Sequence, residues 1–509
     1  LPSPGTRILY QKQHLGTVRF AGPVDGTSGE WLGVEWDEAE SRGKHDGVKD
    51  GKRYFDCVVP HSASFVRYSP NTISLGTNFL SALFAKYVDD EFFNSSVMLG
   101  SSNGLIEVEA PNLDRVRKKV ADIQKLKEIS LDEEGVAGCE SDEDEGWRSL
   151  QNVRGLNLSK NLLSSWDVIR HIVIHMPLIS ELDLSRNRFH SALPAPSLSD
   201  HLISTSIRQL RLNNTLVSWS QLSALSEGFP NLEGLQFSFN RLSDASMEPE
   251  GSTPESLPFF GRLQSLFLDG NRLTKWTNTD MDFELILSGN LCSLRHLHLA
   301  SNQIDSIPRP TPGTSRLALE RIQLTSNALH AWSDLDALSE WCPHLEVFSV
   351  AANPIIAADE VHARPLVIGR MGTLTILDGS NISHHERQDS ELFYLSTIAK
   401  SVTPTTTEDE RIRAHPRWVT LCEKHGRPDE PRSAADPKKQ TTKLIGLTIL
   451  AIEAPISVSA LASAPAHDES AAVTIRLLPT MTVRVLRLKI AKTLKLKNDF
   501  RLWILLRRG

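Results

Sequence analysis

The clearest pattern along the chain is a spaced alternation of apolar residues followed by asparagine. It runs through LNLSKN (156–161), LDLSRN (182–187), LRLNNT (210–215), LQFSFN (235–240), LFLDGN (266–271), LHLASN (297–302), IQLTSN (322–327) and FSVAAN (348–353), with successive starts 25–31 residues apart. The period-2 part predicts a short strand that points two apolar side chains to one side. The asparagine then bonds the backbone of the following turn, so equivalent asparagines stack into a ladder. One such unit cannot bury its own apolar side, so neighbouring units must stack. Seven of the eight keep the asparagine; the third has Thr215 there, with Asn214 one position early, and its register is less secure. Amphipathic stretches between the units, such as 164–175 and 333–342, predict helices on the opposite side.

The rest of the chain follows other patterns. Residues 1–70 alternate in short runs (16–20, 31–36) broken by glycine, the pattern of a small all-β module. Between 71 and 149, Gly104–Val108 suggests a strand and Leu113–Ile129 has helical spacing. Residues 132–145, DEEGVAGCESDEDE, hold eight acids and no base. Such a block is expected to be a solvated linker, with a contact for a basic partner or a phosphosite at Ser141 left open. The segment 374–395 is polar and helical and suits a cap on the array. Residues 401–442 read as a connector with a short helical piece near 415–425. From 443 to 509, strand-like KLIGLTILAI and AAVTIRLLP precede an amphipathic stretch 482–496 and a third run, FRLWILL.

Composition narrows the classes. The 509 residues carry 55 Lys+Arg against 62 Asp+Glu, a formal charge of −7, so no chain-wide basic footprint for nucleic acid exists. Five scattered cysteines, without C-x-x-C, exclude a dense disulfide framework and a Cys-rich zinc module and fit a reducing compartment. No apolar run approaches the ~18–20 residues that span a bilayer, and no signal peptide is visible, so a cytoplasmic address and no membrane partner are expected. Phosphate-loop, dinucleotide, zinc-protease and nucleophile-elbow motifs are absent, so the reading is of a non-enzyme without cofactor. His171 and His175 have metal-ligand spacing, but the sequence offers no third ligand nearby, and no metal site is assigned. His384-His385 reads as surface. Cys139, in an acid run, reads as unreactive.

The repeats have the core of a leucine-rich repeat. The outward x positions of their strands, Asn157, Asp183, Arg211, Gln236, Phe267, His298, Gln323 and Ser349, would form a protein-binding concave surface. At the N-terminus, GEWLGVEWDE (29–38), Gly43-Lys44-His45-Asp46-Gly47, RYFDC (53–57) and SFVR (64–67) resemble a CAP-Gly domain over about 65 residues. His45 stands where that family usually has asparagine. The resemblance implies a reader of acidic tails ending in an aromatic residue. Lys44 and His45 would meet carboxylates, Trp36, Phe55 and Phe65 the aromatic end, and Ser64 would donate a hydrogen bond. Gly43, Asp46 and Gly47 complete the loop, and Trp31 belongs to the same aromatic set. The module has nine basic and nine acidic residues, so attraction must come from local placement.

The β-β-α-β order of 443–509 suggests a ubiquitin-like β-grasp that could be truncated at its end. It carries nine Lys/Arg from Arg484 onward against one acid. The expected fold class is therefore multi-domain: a small all-β CAP-Gly barrel (1–70), a connector with an acidic linker (71–149), an α/β leucine-rich-repeat solenoid with a C-terminal cap (150–400), a linker (401–442) and an α+β ubiquitin-like domain (443–509). That order is similar to the tubulin-folding cofactor E family. The resemblance implies a chaperone that captures α-tubulin. It would act with tubulin-folding cofactors C and D in assembling or dissociating the αβ-tubulin heterodimer, in an assembly with an Arf-like GTPase. The basic C-terminal end suggests a further partner such as the proteasome. The alternative is a microtubule plus-end or dynein-complex adaptor without chaperone activity.

Overall fold

The computed structural model describes residues 1–87, 98–101, 104–107, 123–189, 203–243, 260–276, 291–311, 316–401, 407–428, 445–449, 473–477 and 482–494. The chain divides into two compact units, 1–398 with 407–427, and 399–406 with 428–509.

The first unit opens with β1 (Arg7–Tyr10), β2 (His14–Pro23), β3 (Glu30–Trp36), the short helix α1 (Ala39–Arg42), a β4 (Val48–Lys49)–β5 (Lys52–Arg53) hairpin, β6 (Ala63–Arg67) and β7 (Ile73–Ser74). The main ladder runs β6-β3-β2-β1-β7, all antiparallel. The expected barrel is thus a five-stranded sheet whose strand order stays open. Alternation puts Ile8, Val18, Leu32, Val34, Trp36 and Val66 into one core. Gly33 is required on β3, because a Cβ there would lie 2.1 Å from the Phe55 ring.

The chain continues through β8 (Thr77–Asn78), α2 (Phe79–Tyr87) and a β9 (Met98–Ser101)–β10 (Gly104–Glu107) hairpin. The helix expected over 113–129 lies largely outside the described residues; its end is a 3-10 turn (Ile123–Lys125) and then β11 (Glu128–Ser130). β11 is the first strand of an eleven-stranded sheet. It is followed by β12 (Val136–Gly138), which pairs with β8, and by the repeat strands β13 (Gly155–Asn157), β14 (Glu181–Asp183), β15 (Gln209–Arg211), β16 (Gly234–Gln236), β17 (Ser265–Phe267), β18 (His296–His298), β19 (Arg321–Gln323) and β20 (Val347–Ser349). β21 (Ile376–Leu377) and β22 (Ser380–Asn381) close the sheet. Ladders from β11 to β21 are parallel and in register, Leu156 on Leu182, Leu182 on Leu210, and so on to Phe348 on Leu377.

The asparagine ladder is regular. Asn187 donates from Nδ2 to the carbonyls of Leu184 and of Leu158 in the preceding repeat, both at 2.9 Å, while its Oδ1 accepts from the Asn161 and Leu163 amides. Asn161, Asn240, Asn271, Asn302, Asn327 and Asn353 occupy equivalent buried positions. The residue before each ladder position is left-handed (Lys160, Arg186, Asn214, Phe239, Gly270, Ser301, Ser326, Ala352; φ 52–63°). That conformation is costly outside glycine. It brings the backbone round so that the buried amide can satisfy it. Thr215 keeps the register: its hydroxyl bonds the Leu212 carbonyl and its amide bonds Asn240 Oδ1.

The acidic segment departs from expectation. It begins inside a further repeat unit, ISLDEE (129–134), 27 residues before LNLSKN, with Glu134 at the ladder position and Glu133 left-handed (φ 63°). Ile129, Leu131 and Val136 are buried in the solenoid core, and Asn161 donates to the Leu131 carbonyl. Downstream, the Glu140 carboxylate caps the amides of Leu80 and Ser81 at the start of α2, and Asp144 caps the 3-10 turn Glu145–Leu150. Two of the eight acids are therefore caps, and Glu133 and Glu134 pair with Lys160 and Lys86. The segment is folded rather than a linker.

Helices α3 (Trp166–Ile174), α4 (Trp219–Ser226) and α5 (Trp332–Trp341) cover the other side of the array. After α6 (Pro354–Ala357) and α7 (Glu360–Arg370) comes α8 (His384–Ser401), which overlaps the second half of the expected cap segment 374–395. Residues 407–428 are also more than a connector. There α9 (Glu408–Ala414) and α10 (Trp418–His425) bury Trp418 and Leu421 against Tyr394, Leu395 and Ile398 of α8. Buried Glu391 binds Arg417, Lys424 and His425 at 2.7–2.9 Å.

In the second unit, β23 (Ile445–Ile449) and β24 (Val473–Leu477) pair antiparallel, and α11 (Val483–Leu494) packs Ile490 onto Ile475. The expected third strand, FRLWILL, lies outside the described residues.

Candidate functional site

The N-terminal module carries a groove lined by Tyr10, His14, Ser41, Arg42, Lys44, Ser64, Phe65, Val66 and Arg67. Its floor comes from β6, where alternation places Phe65 and Arg67 on the same side. Its rim comes from α1 and the GKHDG loop. Three permanent cations and no carboxylate line it. The module's even charge count is thus locally uneven: three of its nine basic residues line the groove and none of its nine acids does. Asp37 and Glu35, for example, are held by Arg7 and Arg19.

The loop is built by its own residues. The Lys44 and His45 amides bond the Ala63 carbonyl. His45 accepts the Gly47 amide at Nδ1 (3.0 Å), which places its ring proton on Nε2. This is the acceptor role that a side-chain amide oxygen would fill two residues before a backbone N–H, so histidine substitutes locally for asparagine. Burial lowers the His45 pKa, reinforced by Lys44 and opposed by Asp46, so the ring is neutral at pH 7. Asp46 accepts from the His61 amide and pins the loop. Gly43 and Gly47 serve internal contacts. A Cβ at Gly43 would sit 2.0 Å from the His61 carbonyl, and one at Gly47 (φ 86°) 2.0 Å from that of Phe55.

The predicted residues therefore separate. Lys44, Ser64 and Phe65 line the groove. His45, Asp46, Gly43 and Gly47 shape its edge. Phe65 is the hub of a ring cluster, with His45 at 5.0 Å, Tyr54 at 5.4 Å, Phe55 at 5.6 Å and Phe20 at 6.3 Å between centroids. Phe55 and Trp36 are buried, so they support the groove from beneath rather than offering a free face. Trp36 donates its indole N–H to Ser64 Oγ at 2.7 Å, which engages that hydroxyl. Trp31 lies outside the groove lining, with the Arg67 guanidinium over its ring. Arg42, Arg67, Tyr10 and His14 were missed. The i, i+2 step from Phe65 could have indicated Arg67. Tyr10 and His14 flank the β1–β2 turn and have no local signal pointing to the loop at 43–47.

His14 and Ser41 also line a second recess, between the module and the first repeats, together with Lys160, Arg186, Arg188 and Asn214. Two ion pairs bracket this junction. Arg7 grips both oxygens of Asp37 at 2.6 Å, and Arg188 approaches the same carboxylate at 3.8 Å.

Residues 4–70 match the CAP-Gly domain family. The chain is 31% identical over 447 residues to human tubulin-specific chaperone E, covering 84% of this chain and 80% of that one. The chain belongs to the tubulin-specific chaperone E family. The zebrafish (Danio rerio) tubulin-specific chaperone E is 32% identical with the same coverage, and the Arabidopsis thaliana tubulin-folding cofactor E is 28% identical over 97% of this chain and 90% of its own length.

In this chaperone E family member the predicted outward row of the solenoid is one continuous line. Register places Asn157, Asp183, Arg211, Gln236, Phe267, His298, Gln323 and Ser349 side by side. Phe267 stacks on His298 at 4.1 Å, and His298 Nδ1 meets Gln323 Oε1 at 2.7 Å. A second row two residues earlier, including Glu181, Gln209, Ser265, His296 and Arg321, shares that side. Sequence reading passed over it, although the strand period of two implies it. Burial lowers the pKa of His296 and His298, reinforced for both by Arg321 beside them. Among the described residues no helix is long and apolar enough to cross a membrane.

Proposed function

We propose that this chain is a tubulin-folding chaperone that acts by binding rather than catalysis, and that its N-terminal groove takes the acidic, aromatic-ended tail of α-tubulin. The observation that carries the reading is the groove of Arg42, Lys44 and Arg67 beside Phe65, without a carboxylate in its lining, in a chain whose curated relatives are named tubulin-specific chaperone E. Lys44 and the two arginines would pair with tail carboxylates, Arg42 and Arg67 through planar guanidinium forks. Phe65 and Tyr10 would flank the terminal ring. His45 and Asp46 act by holding the loop. The solenoid's outward rows would hold the tubulin body or a second cofactor. Linking the two sites raises effective concentration, so modest single-site affinities suffice.

Cofactors C and D and the αβ-tubulin heterodimer are the partners this reading calls for, in the cytoplasm and with the cytoskeleton. We read 443–509 as a ubiquitin-like domain, supported by the β23–β24 pair followed by α11; its basic end would meet a further partner. The test is titration of the full chain with an α-tubulin tail peptide and with the same peptide lacking its terminal aromatic residue. Size-exclusion with intact αβ-tubulin and cofactor D runs alongside. Tail binding lost on removing the ring, together with release of α-tubulin from the heterodimer, is the expected result. Equal affinity for both peptides refutes the groove assignment. Co-pelleting with intact microtubules and no dimer dissociation favours an adaptor instead.

A further inference from the structure

The acidic segment does more than cap helices. It brings Asp142 to His171 of α3 and His175 at its C-cap, the two histidines for which the sequence offered no third ligand. His171 and His175 are one helical turn apart, and Asp142 Oδ1 lies 3.3 Å from His171 Nε2 and 3.0 Å from His175 Nε2. One ligand atom from each of the three residues falls within 4.8 Å of the others. Zinc–ligand bonds of about 2.0–2.1 Å in a tetrahedron place neighbouring ligand atoms about 3.3 Å apart. The His171 separation matches that edge, and the His175 separation, a hydrogen bond in the metal-free chain, is about 0.3 Å shorter than it.

An ion pair alone satisfies this geometry less well. His171 Nε2 is buried and makes no hydrogen bond, although the carboxylate stands 3.3 Å away. A cation between the three atoms would use the lone pairs of both rings at once. The surroundings hold the ligands in place. Trp147 stacks on His175 at 4.4 Å and 17°, meets His171 edge-on at 5.8 Å, and donates its indole N–H to the Ser141 carbonyl at 2.9 Å. One residue thus fixes both a histidine and the loop carrying Asp142. Asp142 is exposed, which leaves a fourth position open to water. Neighbouring Glu143, Asp144 and Glu145 make the approach attractive to a cation.

We propose that Asp142, His171 and His175 form a Zn²⁺ site that clasps the acidic segment to the first helix of the solenoid. Two imidazoles and one carboxylate suit zinc or another borderline transition ion, and not Ca²⁺ or Mg²⁺, which take oxygen ligands. The site holds no part of the groove and stands independently of the tail-binding reading.

The experiment uses the untagged, reduced full chain after chelator treatment, titrated with Zn²⁺ against a chromophoric competitor, with Co²⁺ as the spectroscopic probe. One equivalent should bind. Co²⁺ should give the relatively strong visible d–d bands of a four-coordinate nitrogen and oxygen site, without thiolate charge transfer, which separates this site from the five free cysteines. Asp142→Asn, an exposed substitution that keeps the fold, should weaken binding by at least the ~10–100-fold seen when a metal's outer-shell partner is removed. His171→Asn should abolish it, with circular dichroism showing the helix retained. No zinc bound by the parent chain, affinity unchanged in Asp142→Asn, or a thiolate spectrum with Co²⁺ would each overturn the proposal.

Discussion

The junction between the N-terminal module and the solenoid makes the sharpest energetic prediction. Asp37 is 14% exposed and faces Arg7 (1%) and Arg188 (12%). Arg7 binds both its oxygens at 2.6 Å and also donates to Thr17 at 3.0 Å, whereas Arg188 lies at 3.8 Å. Asp37→Asn removes the carboxylate charge that both largely buried guanidinium groups face. Losing one partner of a buried ion pair costs about 3–5 kcal/mol, and the Asp37 exposure argues for the lower end, about 3 kcal/mol. Against a typical domain stability of roughly 5–15 kcal/mol, that is a large share. Arg188→Met should cost less, because the two-pronged Arg7 contact survives. A double-mutant cycle should give about 1.5–3 kcal/mol of coupling for Asp37 with Arg7, the range for charged hydrogen bonds, and below about 1 kcal/mol for Asp37 with Arg188. Urea unfolding followed by tryptophan emission and by proteolytic release of the module would measure these. Burial pushes the Asp37 pKa up, but Arg7 and then Arg188 outweigh it and hold it below the ordinary carboxylate value. Its contribution is therefore fully present above the unfolded value of about 3.9 and is lost as pH falls through the lower folded one. An Asp37→Asn chain within about 0.5 kcal/mol of the parent, well short of the buried-pair cost, would refute the reasoning.

Other substitutions test the site and the scaffold. Lys44→Ala should weaken binding of the α-tubulin tail peptide by about tenfold, one charged hydrogen bond's worth; unchanged isotherms would remove Lys44 from the groove's role. Thr215→Asn should add an amide donor to the ladder and raise the unfolding free energy by about 1 kcal/mol, while Asn271→Ala should lower it by more, since it strands the Phe237 and Leu268 carbonyls. Glu391 is pushed up by burial, but hydrogen bonds from Lys424, His425 and Arg417 bring its pKa down to about 2. The stability gap between the parent and Glu391→Gln should hold above the usual glutamate value of about 4.3 and close as pH falls toward about 2, read by thermal melts across that window.

The repeats were legible because each has a period-2 apolar pair and a ladder residue at fixed spacing, both local signals. The repeat at 129–134 was hidden because Glu134 replaces the asparagine and acids surround it, which makes a folded turn look like a solvated run. Likewise α9 and α10 read as connector because their few apolar residues, Trp418 and Leu421, find their partners in α8.

By itself, the sequence determined the array, its register, and the loop that carries Lys44. Those depend on contacts between near neighbours in the chain or on repetition. Only the tertiary structure decided which aromatics line the groove and which lie beneath it, since burial of Trp36 and Phe55 depends on strands far apart in sequence. It also decided that Arg42 and Arg67 converge beside Lys44, and that Asp142 meets His171 and His175. The distance along the chain between those residues says nothing about the distance between their side chains until the sheet and the solenoid are closed.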